Sequence, residues 1–466
     1  MPDSTIRPTT GDSSWYVRDR FGLFIHWGLY SLAARHEWFR ARQRLTNEEY
    51  EVYFKAFEPD LYDPDLWAQA AADAGMKYFV ITAKHHEGFC LWDSKLTDYK
   101  STVAPNCRRD VLRPMVDAFR RRDMRVGFYH SLIDWHHPHF LIDDRHPQRA
   151  LVGHGPSSDA ALKGVEKAAD PTVRSAGDPN ITRDQMKYAD YLHGQVRELL
   201  SEFGQIDLLW FDFSYPHAAD RLDFAKGKGR EAWRAAELLK LIRQLQPGIL
   251  LNDRLDLSDD PTAWDFVTPE QSSPPAWPTV RGQRVVWEAC QTFSGSWGYF
   301  RDEQTWRDSD EIIRTLIDSV SKGGNLLLNV GPTGRGEFDA RSLSRLADIG
   351  RWMKHHSRSI YGCGEAPPEF APPPDTRLTW NPDRRRLYVH LFAYPYKHLH
   401  LGQAFAERVE YAQFLHDASE VTFGTRAAAA AEFAGGGGDD EKPPMTIHVP
   451  KTKPDVTVPV IELFIK

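Results

Sequence analysis

The chain has 466 residues, which is long enough for one large domain and a smaller one. Hydrophobic residues make up 41% and charged residues 26% of the chain, a composition that excludes wholesale disorder. The formal net charge is -7 and there is no long basic run, which argues against a nucleic-acid partner because phosphate binding needs clustered positive charge.

Eight short apolar segments predict buried strands, because each is dense in Val, Ile, Leu, Phe or Tyr and is bounded by polar or glycine residues. Amphipathic patterns predict helices before five of them, and no helix pattern is found between the fifth and seventh strands. Helices alternating with eight buried strands predict an α/β fold, an irregular (β/α)8-like barrel. The strands are 21–28, 77–86, 125–135, 206–213, 248–254, 264–270, 284–293 and 325–332, and the helices are 64–75, 110–123, 183–204, 231–248 and 308–324.

The pattern of apolar and polar residues changes after residue 360. Prolines occur in bunches, and segments that alternate polar and apolar residues follow them. This pattern predicts a C-terminal antiparallel β-sandwich domain, with domain bounds at 1–362 and 363–466. Two further segments are predicted to be loops, 148–180 and the Ala- and Gly-rich stretch 427–444.

Cysteine usage and the N-terminal segment bear on the compartment. The four cysteines are scattered and include no CxxC pair, so they indicate neither a disulfide framework nor a zinc site. The N-terminal segment is polar and no apolar run approaches the length of a membrane span, so we expect no membrane partner and a cytoplasmic location. A periplasmic or secreted location is expected instead if a leader has been removed.

Polar, chemically capable residues recur at the ends of the predicted strands, where the catalytic side chains of such barrels lie. A packed core would not need them, so they predict an active site at that end. The strongest candidate for a functional residue is Asp212, which follows four apolar residues. Because burying an unpaired charge is costly, a carboxylate at this position is either functional or a cap of the next turn. The set is His26, His85, His86, Asp134 or Trp135, Asp212, Arg254, Glu270, Glu288 and Asn329.

Cleavage of a glycosidic bond needs two carboxyl groups, one acting at the anomeric carbon and one protonating the leaving oxygen. With Asp212 as the first, Glu270 and Glu288 are the candidates for the second. Glu270 follows a strand in a short irregular stretch, so it can reach across the barrel mouth. Glu288 lies within a strand, where bracing the barrel or holding Arg254 is as good an interpretation.

A barrel metallohydrolase is the rival interpretation, because His26, His85, His86 and Asp212 are all possible metal ligands. Adjacent residues of a strand point to opposite faces, so we expect that His85 and His86 do not chelate one ion together. No HxH motif follows the first strand. We therefore expect no metal and no other cofactor.

Taken together, several segments resemble the α-L-fucosidases of glycoside hydrolase family 29, in the same order along roughly residues 15–365. The resemblance implies a retaining, exo-acting enzyme that hydrolyses terminal α-L-fucosyl linkages of glycans or oligosaccharides, on an irregular (β/α)8-like barrel followed by a β-sandwich. The segments are FGLFIHWGLYS, EWF, KHHEGFCLWDSKLTDY, NCRRDVL, SLIDWHHP, LLWFDF, NDR, SWGY and SKGGNLLLNVGPTGRG.

The resemblance also assigns residues. It implies Asp212 as the nucleophile and Glu270, which ends DFVTPE, as the acid/base. The third strand reads GFYHS, so either Tyr129 or His130 provides a sugar contact there, and Glu288 is retained as a further candidate contact. The other implied fucose contacts are His26, Glu37, Trp38, His85, His86, Trp210, Arg254 and Trp297.

Two alternatives stay open at this point. One is a carbohydrate-binding protein without activity on the same scaffold, and the other is a glycosidase that acts on a different sugar, such as one with a galactose-like hydroxyl configuration. The linkage, the aglycone and the oligomeric state are not predicted. KHHEG also departs from the more usual KHHDG of the family.

Overall fold

The structure is a computed structural model that describes residues 6–155, 157, 167, 177–425 and 444–466. Most of the predicted loop 148–180 and nearly all of the predicted loop 427–444 lie outside the described residues. Among the described residues, no helix combines the length and the apolar character that crossing a membrane requires.

Eight parallel strands form the central barrel, and each pairs with its neighbours in chain order. The last strand pairs with the first, and a single bridge between Asn252 and Phe266 joins the fifth to the sixth. All eight predicted strands are therefore confirmed. They are β1 Phe21–Ile25, β2 Tyr78–Lys84, β3 Arg125–Ser131, β4 Leu208–Asp212, β5 Leu250–Leu251, β6 Phe266–Val267, β7 Val286–Thr292 and β8 Asn325–Val330.

The barrel is irregular on the side where the sequence lacks a helix pattern. β5 and β6 have only two residues each, and no helix lies between them or between β6 and β7 in this described stretch. A hairpin of two short strands, Thr279–Val280 and Gln283–Arg284, precedes β7 instead. Beyond β6 the segment that carries Glu270 continues to pair with β7, through a parallel bridge between Glu270 and Cys290.

The five predicted helices are present with bounds within a few residues of those expected, the fourth as two pieces. The α-helices are α1 Ser14–Asp19, α2 Tyr30–Ala33, α3 Phe39–Arg42, α4 Asn47–Ala56, α5 Pro64–Asp73, α6 Leu112–Arg120, α7 Gln185–Glu202, α8 Arg230–Trp233, α9 Ala235–Leu245, α10 Ser309–Ser321, α11 Ala340–His356 and α12 Gln403–Arg408. In the described part of the chain, short 3-10 helices cover Arg149–Val152, Pro179–Thr182 and Ser357–Ser359.

The long helix α11 follows the last barrel strand and was not predicted. It packs against α5 and α10 with its buried residues Leu346, Ile349 and Trp352. Gly350 in its middle weakens the helical pattern, since glycine is a poor helix former. The structure explains this glycine, because a Cβ there would lie 2.3 Å from the backbone oxygen of Asp73 in α5.

Two antiparallel sheets follow α11 and confirm the predicted β-sandwich. The first has the strand order β9-β10-β11-β16-β13 and the second the order β12-β15-β14. Their facing residues, among them Leu387, Val389, Ile447 and Leu463, form an apolar core of their own. The strands are β9 Gly364–Glu365, β10 Thr376–Asn381, β11 Arg386–Leu391, β12 His398–Leu401, β13 Val409–Phe414, β14 Phe423–Thr425, β15 Met445–His448 and β16 Val460–Ile465.

Candidate active site

A cavity of about 660 Å³ opens at the carboxyl ends of the barrel strands. It brings together the two predicted catalytic residues and most of the predicted sugar contacts. His130 and Glu288 are not among its walls. The predicted residues that line it are His26, Glu37, Trp38, His85, His86, Tyr129, Trp210, Asp212, Arg254, Glu270 and Trp297.

Asp212 is the last residue of β4 and is held by two donors. The Tyr129 hydroxyl donates to Oδ2 at 2.8 Å, and the Arg254 guanidinium donates from Nη1 to Oδ1 at 2.8 Å. Burial raises the pKa of Asp212 to about 6, an effect that Arg254 and Tyr129 oppose and the nearby Glu270 carboxylate reinforces. The carboxylate is thus ionised at neutral pH and fixed in orientation.

Arg254 connects the two predicted catalytic carboxylates. Its Nη2 donates to Glu270 Oε2 at 2.9 Å, and its Nε donates to Thr268 Oγ1 at 3.0 Å. The guanidinium also lies over the Trp210 ring, 4.5 Å from the ring centre. Because the two carboxylates bind the two Nη atoms of one guanidinium, they lie close together at the barrel mouth.

Two histidines of the cavity have tautomers that their partners determine. Ser131 Oγ donates to Ile133 O at 2.7 Å, so it accepts from His86 Nδ1, 2.6 Å away. In the same way, the Asn329 amide nitrogen donates to Trp297 O, so Asn329 Oδ1 accepts from His26 Nδ1 at 2.6 Å. Burial lowers the pKa of both rings, that of His26 to about 4, so each is neutral with Nε2 as an acceptor.

His85 and His86 both line the cavity, with ring centres 4.0 Å apart. The expectation that they point to opposite faces is therefore wrong. β2 ends at Lys84 with an irregular register, and the two histidines lie in the turn beyond it, where strand alternation no longer applies. Even so, within the described part of the chain no group of three or more His, Cys, Asp or Glu side chains could hold a metal ion.

Glu37 holds the loop that carries Trp297. Its Oε2 accepts from the backbone N–H groups of Trp297 at 3.1 Å and Gly298 at 2.9 Å, and from the Ser296 hydroxyl at 3.2 Å. Burial acts to raise the pKa of Glu37, but His36 and the Gly298 N–H outweigh it and hold that pKa below its ordinary value. The ionised Glu37 thus fixes one aromatic wall of the cavity.

Two predicted contacts lie elsewhere. Along β3 side chains alternate, so with Tyr129 facing the cavity His130 faces outward, where its Nε2 pairs with Gln195 Oε1 of α7 at 3.0 Å. Glu288 is fully buried inside the barrel and accepts from the Tyr78 hydroxyl at 2.5 Å. Neither His130 nor Glu288 contacts the cavity. Of the two structural roles expected for Glu288, bracing the barrel agrees with its bond to Tyr78, and holding Arg254 does not.

Other residues line the cavity without having been predicted. Phe24 is the clearest, since its ring lies 5.4 Å from that of Trp210 and 5.8 Å from that of Trp297 and gives the cavity an apolar floor. The signal for it was present in the sequence, because Phe24 precedes His26 by two residues of the same strand and therefore shares its face. The others include His36, Arg145, Tyr215, Asp253 and Gln271.

Comparison with known proteins identifies the family. The sequence profile described as α-L-fucosidase matches residues 7–358. The chain belongs to the α-L-fucosidase family. As a member of that family it is a glycoside hydrolase, and the resemblance noted from its sequence motifs is confirmed.

Relatives in several organisms match over most of the chain. α-L-Fucosidase of Dictyostelium discoideum is 26% identical over 383 residues, 76% of this chain and 72% of that protein. Isoenzyme 1 of Paenibacillus thiaminolyticus superposes with a TM-score of 0.81 at 40% identity, over 97% of this chain and 98% of that structure. The Thermotoga maritima α-fucosidase, in complex with a mechanism-based inhibitor, has a TM-score of 0.71 at 26% identity, over 98% and 97% of the two chains.

Proposed function

We propose that this chain hydrolyses terminal α-L-fucosyl linkages with retention of configuration, with Asp212 as the nucleophile and Glu270 as the acid/base. The observation that carries the proposal is the contact of both carboxylates with the one guanidinium of Arg254 at the carboxyl ends of the strands. Such a pair is what a double displacement at a sugar carbon requires.

In the first step, an Asp212 oxygen attacks the anomeric carbon while Glu270 gives its proton to the leaving oxygen. The glycosidic bond breaks, the aglycone leaves as an alcohol, and the fucosyl group is held as an ester of Asp212. In the second step, Glu270 takes a proton from water, the resulting hydroxide oxygen bonds to the anomeric carbon, and Asp212 leaves as a carboxylate. Two inversions give net retention.

The surroundings of the two carboxylates suit these different tasks. Asp212 is buried and fixed by Tyr129 and Arg254, and each of its oxygens keeps a second lone-pair direction free for attack. The Glu270 side chain is 44% exposed, which leaves room for an aglycone and for water beside it. A buried, oriented carboxylate and an accessible one on the same guanidinium support these two proposed roles.

Recognition of the sugar follows from the walls of the cavity. The Nε2 atoms of His26 and His86 accept hydrogen bonds, so they suit the hydroxyl groups of a sugar. The ring of Trp38 lies at one side, and Phe24 makes the floor apolar. L-Fucose carries a methyl group at C5, where L-galactose carries a hydroxymethyl group, and an apolar floor favours the methyl group.

Turnover of an aryl α-L-fucoside followed by proton NMR tests the proposal. We expect α-L-fucose as the product that forms first, before mutarotation gives the β-anomer. An aryl α-L-galactoside, which differs only at C6, is the matched control, and we expect its kcat/KM to be lower by roughly 10–100-fold. β-L-Fucose as the first product, or no turnover of the fucoside, would contradict the proposal.

Related solved enzymes support covalent chemistry. The Bacteroides thetaiotaomicron fucosidase structure is a trapped covalent intermediate in complex with 2-fluoro-fucosyl fluoride, at 24% identity to this chain. We extend that chemistry to Asp212 as part of the proposal. Incubation of this chain with the same reagent should add one fluorofucosyl group, and mass spectrometry of a digest should find it on the peptide that contains Asp212.

A further inference from the structure

A second cavity, of about 560 Å³, lies between the barrel and the first sheet of the sandwich, beside the active site. Gln271 lines both cavities and directly follows Glu270 in the chain. The second cavity is therefore located where a saccharide that leaves past Glu270 would extend. On the barrel side it is walled by the segment after Glu270 and by α10, and on the sandwich side by Arg377 and Phe392.

Four basic side chains line this second cavity, against one carboxylate among its described lining residues. The cations are Arg307, Arg314, Lys322 and Arg377, and the carboxylate is Asp318. Asp318 is shared between Lys322 Nζ at 2.6 Å and Arg377 Nε at 2.7 Å. The chain as a whole has a net charge of -7, so an excess of positive charge in one cavity indicates an anionic ligand.

Among the residues that the structure describes, the side-chain acceptors at hydrogen-bond distance from the Arg307 guanidinium are neutral. Its Nη1 donates to Gln291 Oε1 at 2.6 Å and its Nη2 to Thr315 Oγ1 at 2.7 Å. Glu311 acts on it electrostatically from outside the cavity, and burial lowers its pKa below the ordinary value. A partly buried guanidinium that lacks a directly paired carboxylate favours the approach of an anion.

The other two arginines are held in place by one aromatic ring. Arg314 and Arg377 lie over the Phe392 ring, with their guanidinium carbons 4.8 and 5.3 Å from its centre. Arg314 also donates to Phe392 O at 2.8 Å and pairs with Asp310, which lies outside the cavity lining, at 3.1 Å. Stacking fixes the direction of a guanidinium without neutralising its charge.

From this geometry we propose that the second cavity is a leaving-group subsite for an anionic sugar, one that carries a carboxylate or a sulfate ester. The Ser272 hydroxyl on its rim adds a donor and an acceptor for the sugar hydroxyls, while the Ser273 hydroxyl donates to Asp318. The inference rests on the proposed fucosidase function, since it assigns the part of the substrate that lies beyond the scissile bond.

The test compares fucosyl oligosaccharides that differ only in charge. Linear and branched fucosyl oligosaccharides are prepared in neutral, sialylated and sulfated forms, and kcat/KM is measured for each form of whichever linkage is cleaved. We expect the charged forms to exceed the neutral form by on the order of tenfold, because a charge-assisted hydrogen bond is worth about that factor. The sialylated and sulfated arms distinguish the two sources of negative charge.

Variants locate the effect in the second cavity. Arg307→Gln and, separately, Arg377→Gln should remove most of the preference for the charged forms. Arg386→Gln is the matched control, because Arg386 also lies on an aromatic ring of the same sheet, 3.5 Å from the centre of Phe464, but outside this cavity. The preference should also fall as salt is raised, since these side chains are partly exposed.

An aryl α-L-fucoside separates this inference from the proposed function. It has no saccharide to reach the second cavity, so all three variants should hydrolyse it as the wild type does. Failure of the wild type on the aryl fucoside would overturn the proposed function. The anionic subsite alone would be overturned if the wild type hydrolyses the aryl fucoside normally and shows equal kcat/KM for neutral and charged oligosaccharides. It would also be overturned if both cavity variants keep the preference for the charged forms.

Discussion

Replacement of Glu270 by alanine removes the proposed proton carrier while the nucleophile and its partners stay in place. The Glu270 side chain is 44% exposed and its ion-pair contact is with Arg254, so we expect the free energy of unfolding to change by no more than about 0.5 kcal/mol. Arg254 keeps its contacts with Asp212 and Thr268. Changes in rate can then be assigned to chemistry.

The size of the rate loss should depend on the leaving group. General acid catalysis contributes roughly 10²–10⁴-fold, and we expect a loss of that size for oligosaccharides, whose leaving alcohols need a proton. Aryl fucosides with acidic phenols need little protonation, so their first step should be nearly unaffected. A plot of log kcat/KM against leaving-group pKa should accordingly be steeper for Glu270→Ala than for the wild type.

The pH profile gives a second, independent measure. Attack requires ionised Asp212, so kcat/KM rises as the pH passes through the Asp212 pKa, which burial raises to about 6. The Glu270 carboxylate contributes to that elevation. Its removal lowers the Asp212 pKa, and the acid limb of the aryl fucoside profile should therefore move to lower pH.

The assay combines steady-state kinetics on a series of aryl α-L-fucosides with azide rescue. In Glu270→Ala, azide should attack the fucosyl-enzyme ester and give α-L-fucosyl azide, a product of net retention. Glu270→Gln, which keeps the size of the side chain and lacks the acid, should behave in the same way. The assignment of Glu270 as the acid/base would be refuted by an equal loss of kcat/KM for all leaving groups, by a β-azide product, or by an acid limb that moves to higher pH.

The remaining predictions concern four residues and the metal question. Asp212→Ala should lower turnover by several orders of magnitude, with unchanged circular dichroism, and azide should restore some activity with inversion to the β-azide; near-wild-type turnover would exclude Asp212 as the nucleophile. Tyr129→Phe removes a donor that lowers the Asp212 pKa, so the acid limb of the pH profile of kcat/KM should move to higher pH. His130→Ala should leave that acid limb in place and lower the midpoint temperature of thermal unfolding. EDTA should leave turnover unchanged, because the described residues include no group of three or more His, Cys, Asp or Glu side chains that could hold a metal ion; loss of activity that zinc restores would contradict this. Burial raises the pKa of Glu288 to about 7 from its ordinary value of 4.5. The stability that protonated Glu288 contributes is therefore complete below pH 4.5 and is lost as the pH rises through 7. Denaturant unfolding at pH 5 and pH 8 should show that, above pH 7, Glu288→Gln has the larger free energy of unfolding by about 3 kcal/mol.

The barrel could be predicted from the sequence because parallel strands are buried on both faces. Because of that burial, each strand appears in the sequence as a continuous apolar run, such as the one that ends at Asp212. Such runs can be recognised without knowing how the strands pair. The helix α11 escaped prediction because Gly350, required by the close approach to Asp73, interrupts its pattern. A tertiary contact set this residue, and a local pattern does not contain that information.

The cavity was predicted less completely, because the sequence does not tell which of two adjacent strand residues faces the cavity and which faces away from it. GFYHS places either Tyr129 or His130 in the cavity, and only the contacts with Asp212 and Gln195 decide between them. The segment between β5 and β7 was also correctly expected to be irregular. The choice between Glu270 and Glu288 depended on which of them lies at Arg254, and this is a matter of tertiary geometry.

The shared guanidinium suggests how one residue can serve as acid and then as base. Before the first step, Arg254 contacts two carboxyl groups, and the ionised Asp212 takes part of its charge. When Asp212 becomes an ester, its negative charge is gone, and Glu270 is left as the one charged partner of Arg254 among the groups that it contacts. The guanidinium is then left to Glu270 at the stage where, in the proposed mechanism, Glu270 takes a proton from water. The first step would thus change the surroundings of Glu270 in preparation for the second.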